Sequence, residues 1–151
     1  MATMFKHILV PTDGSKLASK GVKAGVKLAK ALGARVTGVY VIPPYVPALY
    51  AEAALYTPAS SATEYKKASE RTAKKALAVV EIEAQTAGVP CATQFVTDPH
   101  VWGGIVRMAR SRKCDAVAMA SHGRSGLGGL LLGSETQRVL AYAKIPVLVV
   151  R

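Results

Sequence analysis

Between Ser121 and Ser134 the chain reads Ser-His-Gly-Arg-Ser-Gly-Leu-Gly-Gly-Leu-Leu-Leu-Gly-Ser, fourteen residues with five glycines. Glycine lets backbone N–H groups come close to an oxyanion. A helix N-terminus adds unpaired donors and positive partial charge. An apolar run, Ala116–Ala120, precedes the stretch and reads as a buried strand. A helix, Glu135–Ala143, follows it. A glycine loop between a strand and a helix is chemistry for holding a phosphate. It is not a Walker A loop, because no Gly-Lys-Ser/Thr follows its glycines. Nor is it the dinucleotide Gly-x-Gly-x-x-Gly, which belongs after a first strand. The competing reading is a turn before a capped helix, since Ser134 and Gln137 fit a Ser-x-x-Gln capping box.

A second polar turn, Pro11-Thr-Asp-Gly-Ser15, follows the first apolar run. Its Asp13 and the later Glu135 are the acids that can be placed near the glycine loop. No Ser/His/Asp or Cys/His set is recognisable, and a hydrolase needs a base held against water. The reading is therefore of a binding protein and not an enzyme, with slow nucleotide hydrolysis left open. His7, His100 and His122 have no metal-ligand spacing with Cys91 and Cys114, so no structural zinc is expected. The two cysteines read as small buried thiols of a reducing cytoplasm.

These residues need a scaffold, and hydrophobic periodicity supplies one. Strands are predicted at Phe5–Val10, Arg35–Ile42, Cys91–Val96, Ala116–Ala120 and Val147–Val150. Helices are predicted at Ser15–Leu32, Thr63–Ala87, Pro99–Arg112 and Glu135–Ala143, with Gly33 and Gly88 as stops. Such alternation implies an α/β fold: one open, doubly wound parallel sheet of five strands with helices on both faces. His7–Val10, Ala116–Ala120 and Val147–Val150 are apolar or nearly so, as strands buried on both faces should be. In such sheets ligands bind beyond the carboxyl ends of the strands, where the winding reverses. Both polar turns follow strands there, and they share one crevice if strands one and four are neighbours.

At 151 residues and 50% hydrophobic content, the chain suits a single domain over 1–151. Residues 43–62 hold four prolines and read as a mobile loop, with Tyr45, Tyr50 and Tyr56 available to cover a ligand or meet a partner. The start, MATMFKHILV, shows no leader pattern, and no spanning helix is evident, which points to the cytoplasm and away from membranes. Net charge is +11. Lys16, Lys20, Lys23, Lys27 and Lys30 recur at helical spacing, with Leu17, Ala24 and Leu28 on another face. Lys66, Lys67, Arg71, Lys74 and Lys75 mix with Glu64, Glu70, Glu81 and Glu83. No aromatics interleave with these bases, so solvated helix faces are favoured over nucleic-acid binding.

Three segments together resemble the universal stress protein family across essentially the whole chain. They are Phe5–Ser15, Cys114-Asp-Ala-Val-Ala-Met-Ala-Ser-His-Gly123 and Lys144-Ile-Pro-Val-Leu-Val-Val150. The ATP-binding branch of that family has Gly-x-x-Gly, nine residues, then Gly-Ser/Thr. Here Gly123, the nine residues Arg124 to Leu132, and Gly133-Ser134 match, while Ala120 replaces the first glycine. The resemblance implies a Rossmann-like strand order 3-2-1-4-5 and ATP as ligand, with Mg or Mn. Gly123, Gly133 and Ser134 would hold the phosphates, within reach of Arg124 or His122. Asp13 would sit at the adenosine end, since a carboxylate repels a triphosphate. Val41 would meet adenine, and Thr12, Met119 and Ala120 would line the pocket. Glu135 would add negative charge near the phosphates, a conflict a divalent cation would ease. The resemblance further implies a nucleotide-dependent regulatory protein of the stress response. It would form a homodimer through Val147–Val150 and be read by other proteins. The Ala120 departure keeps open the family's non-nucleotide-binding dimeric branch.

Overall fold

A computed structural model describes residues 4–47, 61–122 and 132–151. Among the described residues five strands, β1 His7–Pro11, β2 Arg35–Ile42, β3 Cys91–Thr97, β4 Ala116–Ala120 and β5 Val147–Val150, alternate with four helices. These are α1 Lys16–Leu32, α2 Ala62–Ala87, α3 Val101–Ser111 and α4 Ser134–Tyr142. All pairings are parallel and the order is β3-β2-β1-β4-β5, as expected. β1 and β4 are neighbours, so their carboxyl ends lie side by side.

Alternate side chains of the central strands serve opposite layers. Ile8, Val10 and Ala118 pack with Val22 and Val26 of α1 and Val80 of α2. Leu9, Val39 and Val117 pack with Ile105 and Met108 of α3 and Val139 of α4. β1 and β4 are buried throughout. β5 departs from the expectation of burial on both faces. It ends the sheet, it is partly exposed, and Leu148 is 43% accessible.

Helix ends follow local chemistry. Ser15 caps α1 by accepting from Ala18 N, and Gly33, at φ 65°, closes it. Ser61 and Gly88 do the same for α2. Two expectations need correction. Leu17, Ala24 and Leu28 are only half-buried; the buried seam of α1 is Ala18, Gly21, Val22, Gly25, Val26 and Ala29. Its glycines explain why: a Cβ on Gly21 would stand 2.6 Å from Ala120 N, and one on Gly25 2.8 Å from Val10 Cγ2. α1 lies almost directly on the strand backbones, a contact that apolar periodicity does not register. Second, no Ser134 capping box exists. Ser134 is already helical, Gly133 is the N-cap without a side-chain bond, and Gln137 Nε2 donates to Leu132 O at 2.7 Å.

The remaining boundaries shift by one or two residues, which is ordinary for helix and strand ends. Residues 43–47 have no regular structure, as expected for the start of the loop. Tyr65 Oη donates to Pro43 O at 2.6 Å and its ring lies 5.5 Å from that of Tyr45. Tyr50 and Tyr56 lie outside the described residues.

Candidate functional site

The carboxyl ends of β1, β2 and β4 open into a cleft of about 330 Å³. One wall is the turn after β1. Its side chains are committed to the turn itself: Thr12 Oγ1 accepts from Gly14 N at 3.1 Å, Asp13 Oδ1 from Ser15 N at 2.9 Å, and Ser15 Oγ from Ala18 N at 3.1 Å. Gly14 has φ 82°, a conformation that favours glycine. Thr12 N donates to Val39 O at 2.9 Å, tying this turn to β2.

The floor is apolar. Val39 and Val41 of β2, Met119 of β4 and Ile105 of α3 line it and are buried. Gly104 lets α3 press down here, since a Cβ on it would stand 2.7 Å from Val41 Cγ2. Such a surface suits a flat, weakly polar ring system.

The opposite wall is the end of β4 and the start of α4. Gly133 N donates to Ser121 O at 2.8 Å, and Thr136 Oγ1 bonds Ala120 O and Ser121 O, each at 3.1 Å. These bonds pin the two ends of the glycine-rich stretch against each other. A Cβ on Gly133 would stand 3.1 Å from Ser121 O and 3.4 Å from His122 Cα. Glycine is used at 133 for close approach and not for its backbone angles, because φ is −58°. Ala120 has no positive φ, so the backbone there makes no demand for glycine.

Helix N-termini set the electrostatics of this wall. The first N–H groups of any helix lack intrahelical partners. α1 and α2 receive Ser15 and Ser61 as caps. α3 has no cap from His100, but Glu135 Oε2, 33 residues away, accepts from Trp102 N at 2.8 Å. α4 has no side-chain cap, and its first residues, Ser134, Glu135 and Thr136, line the cleft. The unpaired donors and positive end of α4 therefore open onto it. Glu135 thus has two neighbours: its carboxylate accepts from the start of α3, and the residue still lines the cleft, so its negative charge stays at this wall. Among the described residues no group of three His, Cys, Asp or Glu could hold a metal ion.

Thr12, Asp13, Val41, Met119, Ala120, Gly133, Ser134 and Glu135 thus border one cleft, joined by His122. Gly123 and Arg124 lie outside the described residues. Sequence reading missed Val39, Ile105 and Thr136. Val39 was within reach, two residues before Val41 on the same face of β2. Ile105 and Thr136 arrive through tertiary packing and carry no local signal. The cysteines lie elsewhere. Cys91 is half-buried and not fully buried as expected, while Cys114 is buried and its thiol is pushed up to about 11 by burial and by Asp115.

Comparison with known proteins places this architecture. The profile of the universal stress protein family matches residues 4–151. A universal stress protein of Thermus aquaticus is 33% identical over 152 residues, covering 98% of this chain and all of the relative. The solved structure of MJ0577, from Methanocaldococcus jannaschii, has a TM-score of 0.75 at 28% identity, covering 97% of this chain and 96% of that one. The Archaeoglobus fulgidus universal stress protein in complex with dAMP has a TM-score of 0.63 at 19% identity, covering 98% and 99%, a likeness of fold.

Proposed function

The chain belongs to the universal stress protein family, and on that premise we propose that its strand-end cleft binds an adenine nucleotide, ATP above all, as a regulatory ligand. The observation that carries this reading is the N-terminus of α4, left without a side-chain cap at the mouth of an apolar cleft. The adenine ring lies on Val39 and Val41. The ribose lies toward Asp13, and the phosphates lie beside Gly133 and Ser134, where the first N–H groups of α4 and the helix dipole meet them. Gly123 and Arg124 join the phosphate end through the family motif. The relative solved in complex with dAMP supports an adenine nucleotide as the class of ligand.

Mg²⁺ or Mn²⁺ enters with the phosphates, since magnesium is commonly held by substrate phosphates with few protein ligands. Its charge also offsets that of Glu135, which lines the same wall. The bound nucleotide favours one conformational or assembly state, which partner proteins read; the reading is of a regulatory protein and not an enzyme. Its place is the cytoplasm, and no helix among the described residues is long and apolar enough to cross a membrane. The second copy pairs along β5, an apolar edge strand whose exposed groups invite a symmetric partner. Val149→Lys weakens that dimer in sedimentation velocity, and a fully dimeric variant would exclude this edge as the interface.

Thermal unfolding with and without Mg-ATP, with AMP and GTP as controls, tests the ligand. Nucleotide at about a hundred times its dissociation constant adds about 2.7 kcal/mol. For a domain of this size that raises Tm by about 5 to 10 °C. An adenine-specific rise supports the reading. No rise, once copurified nucleotide is excluded by denaturation, favours the non-binding branch, and Ala120→Gly then becomes the variant in which to look for gained affinity.

A further inference from the structure

Spacing alone reads the lysines of α1 as a solvated helix face. The structure adds where they stand and what surrounds them. Lys16, Lys20, Lys23, Lys27 and Lys30 are all exposed. They follow one another by four, three, four and three residues, so they form a single line about 21 Å long. α1 contains no acid. The ion pairs among the described residues, Lys66–Glu70 and Arg107–Asp98, involve none of the five. Neighbouring like charges at these spacings repel each other in the isolated helix. The adjacent α2 shows the ordinary alternative: five bases interleaved with four acids, including an i,i+4 pair.

The line of charge favours one partner. The apolar side of α1 is spent on the sheet, and none of the exposed large hydrophobic residues lies on it. It therefore has nothing to insert into a bilayer, where an amphipathic surface helix buries its apolar face. It also carries no aromatic side chain, so it offers no platform for unpaired bases. What remains is a row of ammonium groups on flexible stems, which can follow the regularly spaced phosphates of a duplex strand as it winds. We propose that the lysine face of α1 is a sequence-independent docking surface for the phosphate backbone of duplex nucleic acid. None of the five lysines lines the strand-end cleft, and the proposal does not rest on what the cleft binds.

Filter retention of two short DNA duplexes of unrelated sequence, across about 50 to 200 mM salt, tests it. Both duplexes bind equally, and log K falls against log salt with a slope of about −4, as expected when most of five lysines each displace a counterion. The triple variant Lys20→Glu, Lys23→Glu, Lys27→Glu loses at least about a hundredfold in affinity and most of that slope. A triple variant on α2, Lys67→Glu, Lys74→Glu, Lys75→Glu, carries the same change in net charge and loses less than about threefold. Unchanged unfolding midpoints show both variants folded, as expected for exposed positions. Equal losses in the two variants would reduce the effect to net charge and overturn the proposal. So would a flat salt dependence, or lysine-dependent retention on phosphatidylglycerol vesicles with none on duplex DNA.

Discussion

Two turns at the same edge of the sheet follow adjacent strands and lead into helices, yet they handle their polar groups in opposite ways. After β1, one side-chain oxygen of each polar residue accepts a local bond: Thr12 from Gly14, Asp13 from Ser15, Ser15 from Ala18. Before α4, the N-cap is Gly133, which has no side chain, and the helix begins without a cap. The first turn is braced by its own bonds, which contributes rigidity. The second leaves backbone donors facing the cleft and contributes capacity for an anion. Stability and binding should therefore separate between Ser15 and Ser134, two serines at the starts of helices.

The largest effect belongs to Gly133→Val. A branched side chain there runs into Ser121 O and His122. It should abolish the Mg-ATP thermal shift and cost about 1–3 kcal/mol of stability by overpacking. A folded variant that keeps the full shift would break the assignment of the anion end. The serine pair comes next. Ser134→Ala should weaken nucleotide binding about tenfold, the worth of one hydrogen bond to a charged group, and leave the unfolding midpoint in urea nearly unchanged. Ser15→Ala should cost about 1 kcal/mol of stability as a lost cap and leave the dissociation constant unchanged. Calorimetric titration and urea unfolding on both variants decide it, and the comparison collapses if the two behave alike.

The smallest effect lies at the other end of the sheet. His7 is buried, its Nε2 lies 2.7 Å from Thr37 Oγ1, and its Nδ1 has no partner. Burial first, then the nearby Arg35, holds its pKa below 6.5. The unfolded chain therefore binds the proton more readily, and the stability His7 supplies as a neutral ring is lost as pH falls below about 6.5. His7→Gln should flatten the dependence of unfolding free energy on pH below that value. It should not change nucleotide affinity at pH 7.5. An unaltered pH profile would remove His7 from the account.

The order of elements was legible because the strand and helix periods differ and the punctuation is strong. Arg35–Ile42, Ala116–Ala120 and Val147–Val150 appear with the boundaries that their apolar runs suggest, and Gly33 and Gly88 stop their helices at positive φ. Less legible was anything that depends on contact at a distance. The Ser-x-x-Gln pattern at Ser134 is a local signal for a cap. It was overruled because Gly133 is held by Ser121 O and the helix starts one residue earlier. The bond from Trp102 N to Glu135, 33 residues away, carries no local signal either. The seam of α1 was hidden by glycines, whose contribution is the absence of a side chain.

The bond from Glu135 to Trp102 has a practical consequence. Trp102 is the chain's single tryptophan, and its ring stacks on Tyr142, with centroids 4.6 Å apart, and on His100, at 5.8 Å. A ligand at the start of α4 would sit beside the residue that holds this indole's own backbone. Titrating nucleotide while recording Trp102 emission should therefore report occupancy without any label.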